Sequence, residues 1–392
     1  MRERPVVEGV EWVGAVDWDR RLFDELIPLP DGTSYNAYLV RGSEKTVLMD
    51  SVDPSFAGVL LERLASAGVK RLDYVVCHHA EQDHSGAIPR VLERYPEATV
   101  LATEKCKVML GDLLGVPADK VRAVADRERI DLGGLTIEGI HFPWVHWPET
   151  MLTWLPERRT LFSCDLFGSH LATSEMFAGN DPLVLPGAKR YYAEIMMPFR
   201  NFIQKNMERV TSLEPAFIAP SHGPVHDHPA LILDAYHEWL SAPPKNLVVV
   251  PYVSMHDSTR RMVEHFMESC AWRGVRAEQF NLGDPDVGKL AMLLVDAASL
   301  VIGTPTVLAG PHPKVAYAAS LANLIRPKVR FLSVIGSYSW GGKAVEQLAA
   351  MIPNLKVEVI PPVLCKGVPK AEDLAALDRL AETLAKKHGT IM

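Results

Sequence analysis

The stretch VVCHHAEQDHSG, Val75–Gly86, places His79, Glu81, Asp83 and His84 in the spacing H-x-E-x-D-H. It continues LDYVVC (Leu72–Cys77), an apolar, β-branched run that reads as a buried strand. The four polar residues therefore lie in a loop leaving a strand end. Solvated loop residues need no partners, whereas two imidazoles and two carboxylates gathered for a metal need ligands from elsewhere in the chain.

Such residues recur at short strands farther along. HFPWVHWPET carries His141 and His146, LFSCDLFGSH carries Asp165 and His170, and APSHGPVHDH carries His222. If these strands are neighbours, their loops converge on a set of His79, Glu81, Asp83, His84, His146, Asp165 and His222. Four imidazoles and three carboxylates are too many for one tetrahedral zinc and suit two metals with one carboxylate bridging. His141 reads as structural or adjacent to the set. His226 and His228 read as surface residues, and His237, His265 and His388 as surface or hydrogen-bonded histidines.

A chain of 392 residues is long enough for two domains. Hydrophobic residues at 48% and charged residues at 23% are ordinary for a soluble globular protein. A net charge of −7 offers no basic surface for nucleic acid or an anionic membrane. Cys77, Cys106, Cys164, Cys270 and Cys365 are odd in number, widely spaced and without C-x-x-C, which argues against a disulfide framework and for a reducing compartment. No secretory signal opens the chain, and no apolar run approaches the roughly 20 residues of a membrane helix. We read a cytoplasmic protein with neither nucleic acid nor membrane as partner.

The first half mixes strands and helices. YNAYLV (Tyr35–Val40) and TVLMD (Thr46–Asp50) read as adjacent strands, Ser55–Gly68 as a helix, and a region from about Lys189 to Val210 as a long helix. SAPPKN (Ser241–Asn246) reads as a linker, with the domain boundary between residues 243 and 244. Beyond it strands and helices alternate: Leu247–Tyr252, Val275–Phe280, Ser299–Pro305, Val329–Gly336 and Lys356–Pro361 read as five strands of a doubly wound α/β sheet.

Three loops leave the strand ends of this second half. Ser254, Met255, His256, Asp257, Ser258 and Thr259 open a helix, and hydroxyls with free backbone N–H groups at a helix N-terminus are where a phosphate binds. The charge of Asp257 would oppose a phosphate unless turned to solvent. Pro305, Thr306, Val307, Leu308, Ala309 and Gly310 form the second loop, and Ser337, Tyr338, Ser339, Trp340 and Gly341 the third, where Tyr338 and Trp340 could flank an aromatic ring. The chain has no G-x-G, so the nicotinamide-dinucleotide fingerprint is missing.

The order H-x-E-x-D-H, His146, Asp165, His222 resembles the metallo-β-lactamase superfamily, most of whose hydrolases carry histidine where this chain has Glu81. A carboxylate is harder than imidazole and adds negative charge, which shifts the balance towards iron. The three later loops resemble those of flavodoxin, which binds FMN. WVGAVDWDRRLFD, GTSYNAYLV, HAEQDHSG, VHWPETM, DLFGSH, RYYAEIMMPF, PSHG and GSYSWGGKAV, in that order, resemble the flavodiiron proteins, or A-type flavoproteins, over nearly the whole chain.

That resemblance implies an α/β fold: a metallo-β-lactamase-like αββα sandwich over residues 1–243, then a flavodoxin-like doubly wound five-stranded parallel sheet over 244–392. It implies an oxidoreductase that reduces dioxygen to water, nitric oxide to nitrous oxide, or both, using two non-haem irons fed by FMN. By position, His79, Glu81 and His146 would hold one iron, Asp83, His84 and His222 the other, and Asp165 would bridge. His170 falls beside the site, and one of Tyr191 and Tyr192 lines the pocket. The family pairs subunits head to tail, so a homodimer or tetramer is expected. The chain lacks the cysteine pairs of an appended rubredoxin, which leaves electron supply to a separate rubredoxin-like protein or a reduced deazaflavin. Many members carry a histidine soon after the phenylalanine of the N-terminal block; here Asp24 follows Phe23. The rival reading is a zinc-dependent, thioesterase-like hydrolase with a flavodoxin-like appendage, against which Glu81 and the FMN loops both count.

Overall fold

Alternation along the strands of the first half sorts their side chains into two layers, and a computed structural model of the chain shows which neighbours they meet. The structure describes residues 3–241, 243–284 and 286–391; Ala242, within the linker expected over Ser241–Asn246, lies outside them. The chain divides into two compact units, one running to Tyr192 and including Phe199–Leu240, the other made of Ala193–Pro198 and the chain from Ser241 onward.

In the first unit a seven-stranded sheet runs Arg4–Val7, Val10–Trp12, Tyr38–Arg41, Thr46–Met49, Tyr74–Val76, Thr99–Ala102, Val121–Ala123. A five-stranded sheet runs Arg129–Asp131, Thr136–His141, Met151–Leu155, Thr160–Cys164, Phe217–Pro220. Val40, Val47, Met49, Val76 and Leu101 meet Ile137, Met151, Leu155 and Phe162 between the sheets. The alternate positions Leu39, Leu48, Val75 and Val100 instead pack under the helices Ala57–Ser66, Ile88–Arg94 and Glu104–Leu114 through Leu60, Leu64, Ile88, Val91 and Leu110. This period of two buries both faces of the sheet and leaves the strand ends to carry polar residues.

Several elements depart from the sequence reading, each for a local reason. The strand expected over Tyr35–Val40 is broken at Asn36 and Ala37, because the Asn36 N–H donates to Ser221 O (2.8 Å) instead of to a strand neighbour. The H-x-E-x-D-H stretch is not all loop: Gln82–Ser85 forms a helical turn, with the His84 and Ser85 N–H groups on Glu81 O (3.1 and 2.9 Å). The long helix expected from Lys189 to Val210 begins earlier, at Val184, and changes from α to a π-helical turn, Tyr192–Met196, and a 3-10 turn, Met197–Phe199, before Arg200–Thr211. Pro198 has no N–H to donate, so it cannot continue the hydrogen-bond pattern of an α-helix, and it lies within the tighter turn Met197–Phe199.

The second unit has the strand order Arg276–Asn281, Lys245–Tyr252, Ala297–Val307, Phe331–Tyr338, Glu358–Val359, all parallel. This is the 2-1-3-4-5 order of the flavodoxin-like sheet. The fifth position, expected as one strand over Lys356–Pro361, holds two: Glu358–Val359 and Val363–Lys366 both pair with Phe331–Tyr338. Pro361 and Pro362 separate them, since neither can donate to a ladder. Among the described residues no helix is long and apolar enough to cross a membrane.

Asn36 ties the broken strand to the loop carrying His222. Its Nδ2 donates to Pro220 O (2.8 Å) and Gly223 O (2.7 Å), and its Oδ1 accepts from Trp12 Nε1 (2.9 Å). Asn36→Ala strands these buried partners, so urea unfolding of the metal-free first unit is expected to show a loss of about 2–4 kcal/mol.

Candidate metal centre and flavin cleft

Four loops leaving strand ends, after Tyr74–Val76, Thr136–His141, Thr160–Cys164 and Phe217–Pro220, bring the seven sequence-predicted ligands together. His79, Glu81, His146 and Asp165 form one group and Asp83, His84 and His222 another; within each, the candidate ligand atoms lie within 4.8 Å of one another. The members are buried except Glu81 and His146, whose side chains are 14% and 12% exposed, so the site opens on that edge. Asp165 divides its oxygens between the groups. Its Oδ2 lies 3.3 Å from His146 Nε2 and 3.7 Å from His79 Nε2. Its Oδ1 lies 3.0 Å from His84 Nε2 and 3.4 Å from His222 Nε2.

The backbone around the ligands is bent to fit. Cys164, immediately before Asp165, has φ 53°, and Trp144, two residues before His146, has φ 66°. Such left-handed residues persist where packing over-determines them. Gly223 follows His222 at φ 79°, and a Cβ there would meet Ser169 Oγ at 2.1 Å, so only glycine fits.

Hydrogen bonds outside the cluster set the ring orientations. His79 Nδ1 donates to Glu149 Oε1 (2.7 Å), which also accepts the Ala80 N–H (3.0 Å). His222 Nδ1 donates to Ser34 O (2.6 Å), and the Gly223 N–H to Ser34 Oγ (2.7 Å). Both donations leave Nε2 facing the cluster, as a metal-binding imidazole requires. Behind them His78 anchors the loop: its N–H and Nδ1 engage Asp50 (2.9 and 2.7 Å), and its Nε2 meets Thr153 Oγ1 (2.8 Å).

The charges are poised for cations. Burial lowers the imidazole pKa values, but Asp165 and Glu81 outweigh it and hold His146 at about 9, while Asp165 and Asp83 hold His222 at about 10. Burial also raises the carboxylates, yet the facing histidines keep Glu81 and Asp165 below their ordinary range. Both oxygens of Asp83 and Oδ1 of Asp165 are buried without a hydrogen-bond donor. Orphaned carboxylate oxygens facing imidazole Nε2 atoms are a donor set that fits two metal ions.

The residues around the cluster sort cleanly. Tyr191, not Tyr192, abuts it, with its ring 4.8 Å from His170 and 5.7 Å from His222; Tyr192 packs on Tyr236 and Trp239, each at 5.4 Å. His170 is buried, its Nδ1 2.9 Å from Thr33 Oγ1, and burial together with His222 pushes its pKa well below the ordinary value. His226 is not a surface residue as expected: it is buried and its Nε2 donates to Phe167 O (3.0 Å). His228 is exposed, His141 donates to Val124 O (2.9 Å), and His388 is buried against Ser299 and Asn246. Sequence reasoning gave no role to Glu149, a single acid that looks like any solvated glutamate. It also gave none to Ser34, whose contribution is partly a backbone carbonyl with no sequence signal.

In the second unit, Ser254, Met255, His256, Ser258, Thr259, Pro305, Thr306, Ser337, Tyr338 and Ser339 line one open cavity of about 240 Å³, joined by the unforeseen Gly367. A neighbouring cavity of about 310 Å³ shares Thr306 and Tyr338 and reaches Gly341. Ser254 Oγ accepts the Arg260 N–H (3.2 Å), and Thr259 Oγ1 meets Ser337 Oγ (3.1 Å), where the helix Ser258–Trp272 begins. Asp257 is turned to solvent and paired with Arg260 (3.1 Å), which removes its conflict with a phosphate. Val307 and Gly310 close a hairpin whose tip, Leu308 and Ala309, has positive φ; Leu308 is 93% and Trp340 77% exposed. Large apolar side chains left in water beside a hydroxyl-lined helix N-terminus fit a planar ring carrying a phosphate.

A family model described as ODP family beta lactamase matches residues 33–223. A nitric oxide reductase of Moorella thermoacetica is 33% identical, the match covering 97% of this chain and 98% of the relative. The solved rubredoxin oxygen:oxidoreductase of Desulfovibrio gigas superposes with a TM-score of 0.94 at 29% identity, over 99% of both chains. The flavodiiron protein of Giardia intestinalis superposes at 0.92 and 27% identity, over 100% of this chain and 98% of that one. The chain belongs to the flavodiiron protein family, with a metallo-β-lactamase-like domain followed by a flavodoxin-like domain.

Metal ligation requires neutral imidazole, so ions entering this cluster displace protons. In the metal-free protein the raised histidine pKa values stabilise the fold fully below about pH 6.5, the unfolded value, and that stabilisation is lost as pH rises through about 9 to 10. Thermal melts between pH 7 and 10 are expected to fall for metal-free protein and to stay level for metal-loaded protein. A pH-stat is expected to record proton release on metal addition at pH 7.5.

Proposed function

We propose that the chain is an oxidoreductase that reduces dioxygen to water, nitric oxide to nitrous oxide, or both, at a non-haem iron pair supplied by FMN. The observation that carries this reading is the division of Asp165 between two matched ligand groups, which a single-metal site would not need. In our assignment His79, Glu81 and His146 hold one iron, Asp83, His84 and His222 the other, and Asp165 bridges. Glu81, a hard carboxylate in place of imidazole, favours iron over zinc. When bound, the iron pair and FMN supply the electron transfer that side chains cannot.

The chain's own groups confine and serve the substrate. Tyr191 and His170 close one side of the cluster with buried rings, which excludes water. Burial, followed by the charges of Asp165 and Asp83, keeps the Tyr191 phenol protonated, so its O–H remains a donor. At the N-terminal loop the Asp24 carboxyl is raised above its ordinary value by partial desolvation and by the charges of Glu81 and Asp83. Phe199 and Trp147 pack on His146 at 6.1 and 6.2 Å, beside the partly exposed edge through which a small apolar molecule can enter.

For the flavin, residues 254–259 hold the phosphate in our assignment, and the loops 305–310 and 337–341 flank the ring. We place the domains at 1–243 and 244–392. We assign the electron donor to a separate rubredoxin-like protein, in line with the rubredoxin in the name of the Desulfovibrio gigas neighbour, with a reduced deazaflavin as the alternative. Head-to-tail association into a homodimer or tetramer completes the proposal. All five cysteines are free and buried, which suits a reducing cytoplasm.

Protein produced with ample iron is expected to contain an iron pair and equimolar FMN, and, once reduced, to consume dioxygen or nitric oxide. Asp165→Asn is expected to lower iron content and abolish that consumption while FMN is retained. A zinc-loaded, flavin-free protein that hydrolyses thioesters would reject this reading.

A further inference from the structure

The ligands assigned to the two metals are matched in charge. Each group has two imidazoles, one carboxylate of its own and one oxygen of Asp165. Their supports are not matched. His222 Nδ1 donates to Ser34 O, a neutral backbone carbonyl, whereas His79 Nδ1 donates to the carboxylate of Glu149. Both side chains of that second pair are fully buried, so solvent does not screen the charge. Glu149 is firmly held: Oε1 also accepts the Ala80 N–H, and its backbone O accepts from Thr103 Oγ1 (2.8 Å), the cap of the helix Glu104–Leu114. Its Oε2 is buried with no hydrogen-bond partner, so no donor meets the charge on that oxygen. His170, an extra imidazole on the other side, packs tilted against His222 with ring centroids 5.0 Å apart and brings no negative charge.

We propose that Glu149 is a positioning residue that makes the two metal sites unequal: it aims His79 Nε2 inward and adds a buried negative charge to that group alone, so the ion held by His79, Glu81 and His146 binds more tightly. A carboxylate behind a ligating histidine raises the basicity of the ring and fixes its tautomer, and removing such a partner typically weakens metal binding by about 10–100-fold. The inference rests on the metal-pair reading above and adds an order of filling to it: the His79 group fills first and empties last.

The test uses the metal-free full-length protein and cobalt(II), whose visible spectrum reports each binding step. Wild-type protein is expected to take up two ions in separate steps. Glu149→Gln keeps an oxygen acceptor for His79 and Ala80 but removes the charge. It is expected to weaken the tighter step by about 10–100-fold and to leave the weaker step in place, so that the two merge. A wild-type crystal loaded with one equivalent of cobalt adds a readout that needs no variant: anomalous scattering is expected to place the ion among His79, Glu81 and His146. The inference is overturned if that ion sits among Asp83, His84 and His222 or divides evenly, or if Glu149→Gln shifts both steps equally or neither. A wild-type protein that binds fewer than two ions would instead overturn the metal-pair reading itself.

Discussion

Seven ionisable side chains packed into two groups, each with its ligand atoms within 4.8 Å, dominate the first unit. Burying even one unpaired charge costs several kcal/mol, on the order of a sizeable part of the stability of a domain. The cluster is therefore balanced internally, imidazole against carboxylate, with its remaining acceptors left for cations. Much of the surrounding structure serves that balance. Asp50 and Thr153 fix His78, Glu149 fixes His79, and Ser34 fixes His222, each from a different strand or loop. The two sheets supply rigid strand ends, and the loops between them supply the ligands, which is how a buried polar site can be held without sacrificing the apolar core.

The flavin cleft solves an easier problem by simpler means. An anion at the start of a helix needs N–H donors and hydroxyls, and the segment Ser254–Thr259 supplies both without burying a charge. The acid in that segment is dealt with by rotation: Asp257 adopts φ 64° and points to Arg260, away from the cavity. The cleft stays open and hydroxyl-rich, and the loops beside it carry Leu308 and Trp340 exposed to solvent.

What could be read in advance follows from where the chemical information lies. The seven cluster residues were legible because each is a polar residue at the end of an apolar run, and a strand end is a fixed place in an α/β fold. The flavin loops were legible for the same reason. Tyr191 could not be separated from Tyr192, because adjacent residues on a helix differ only in the face they take, and here the helix changes from α to π at that point, which no sequence period announces. His226 was misread because the bridge between Ile218 and His226, which draws the ring inward, joins residues whose pairing no local pattern announces. Val363–Lys366 was missed because two prolines hid the return of the chain to the sheet edge.

Glu149 shows the general limit. Its sequence context, a glutamate three residues after a histidine, does not distinguish a surface acid from one buried beneath a metal ligand. The distinction is made by Met151, whose N–H bonds to His78 O (3.0 Å) and draws the strand Met151–Leu155 against the loop carrying His79. Once that strand is placed, Glu149 has no route to solvent, and its charge must be answered by the nearest donors, the His79 ring and the Ala80 N–H. The ligands of such a centre are chosen by residue type and can be read from sequence. The supports behind them are chosen by which backbone segments the sheet brings together, so a difference between two otherwise matched metal sites is a property of the fold.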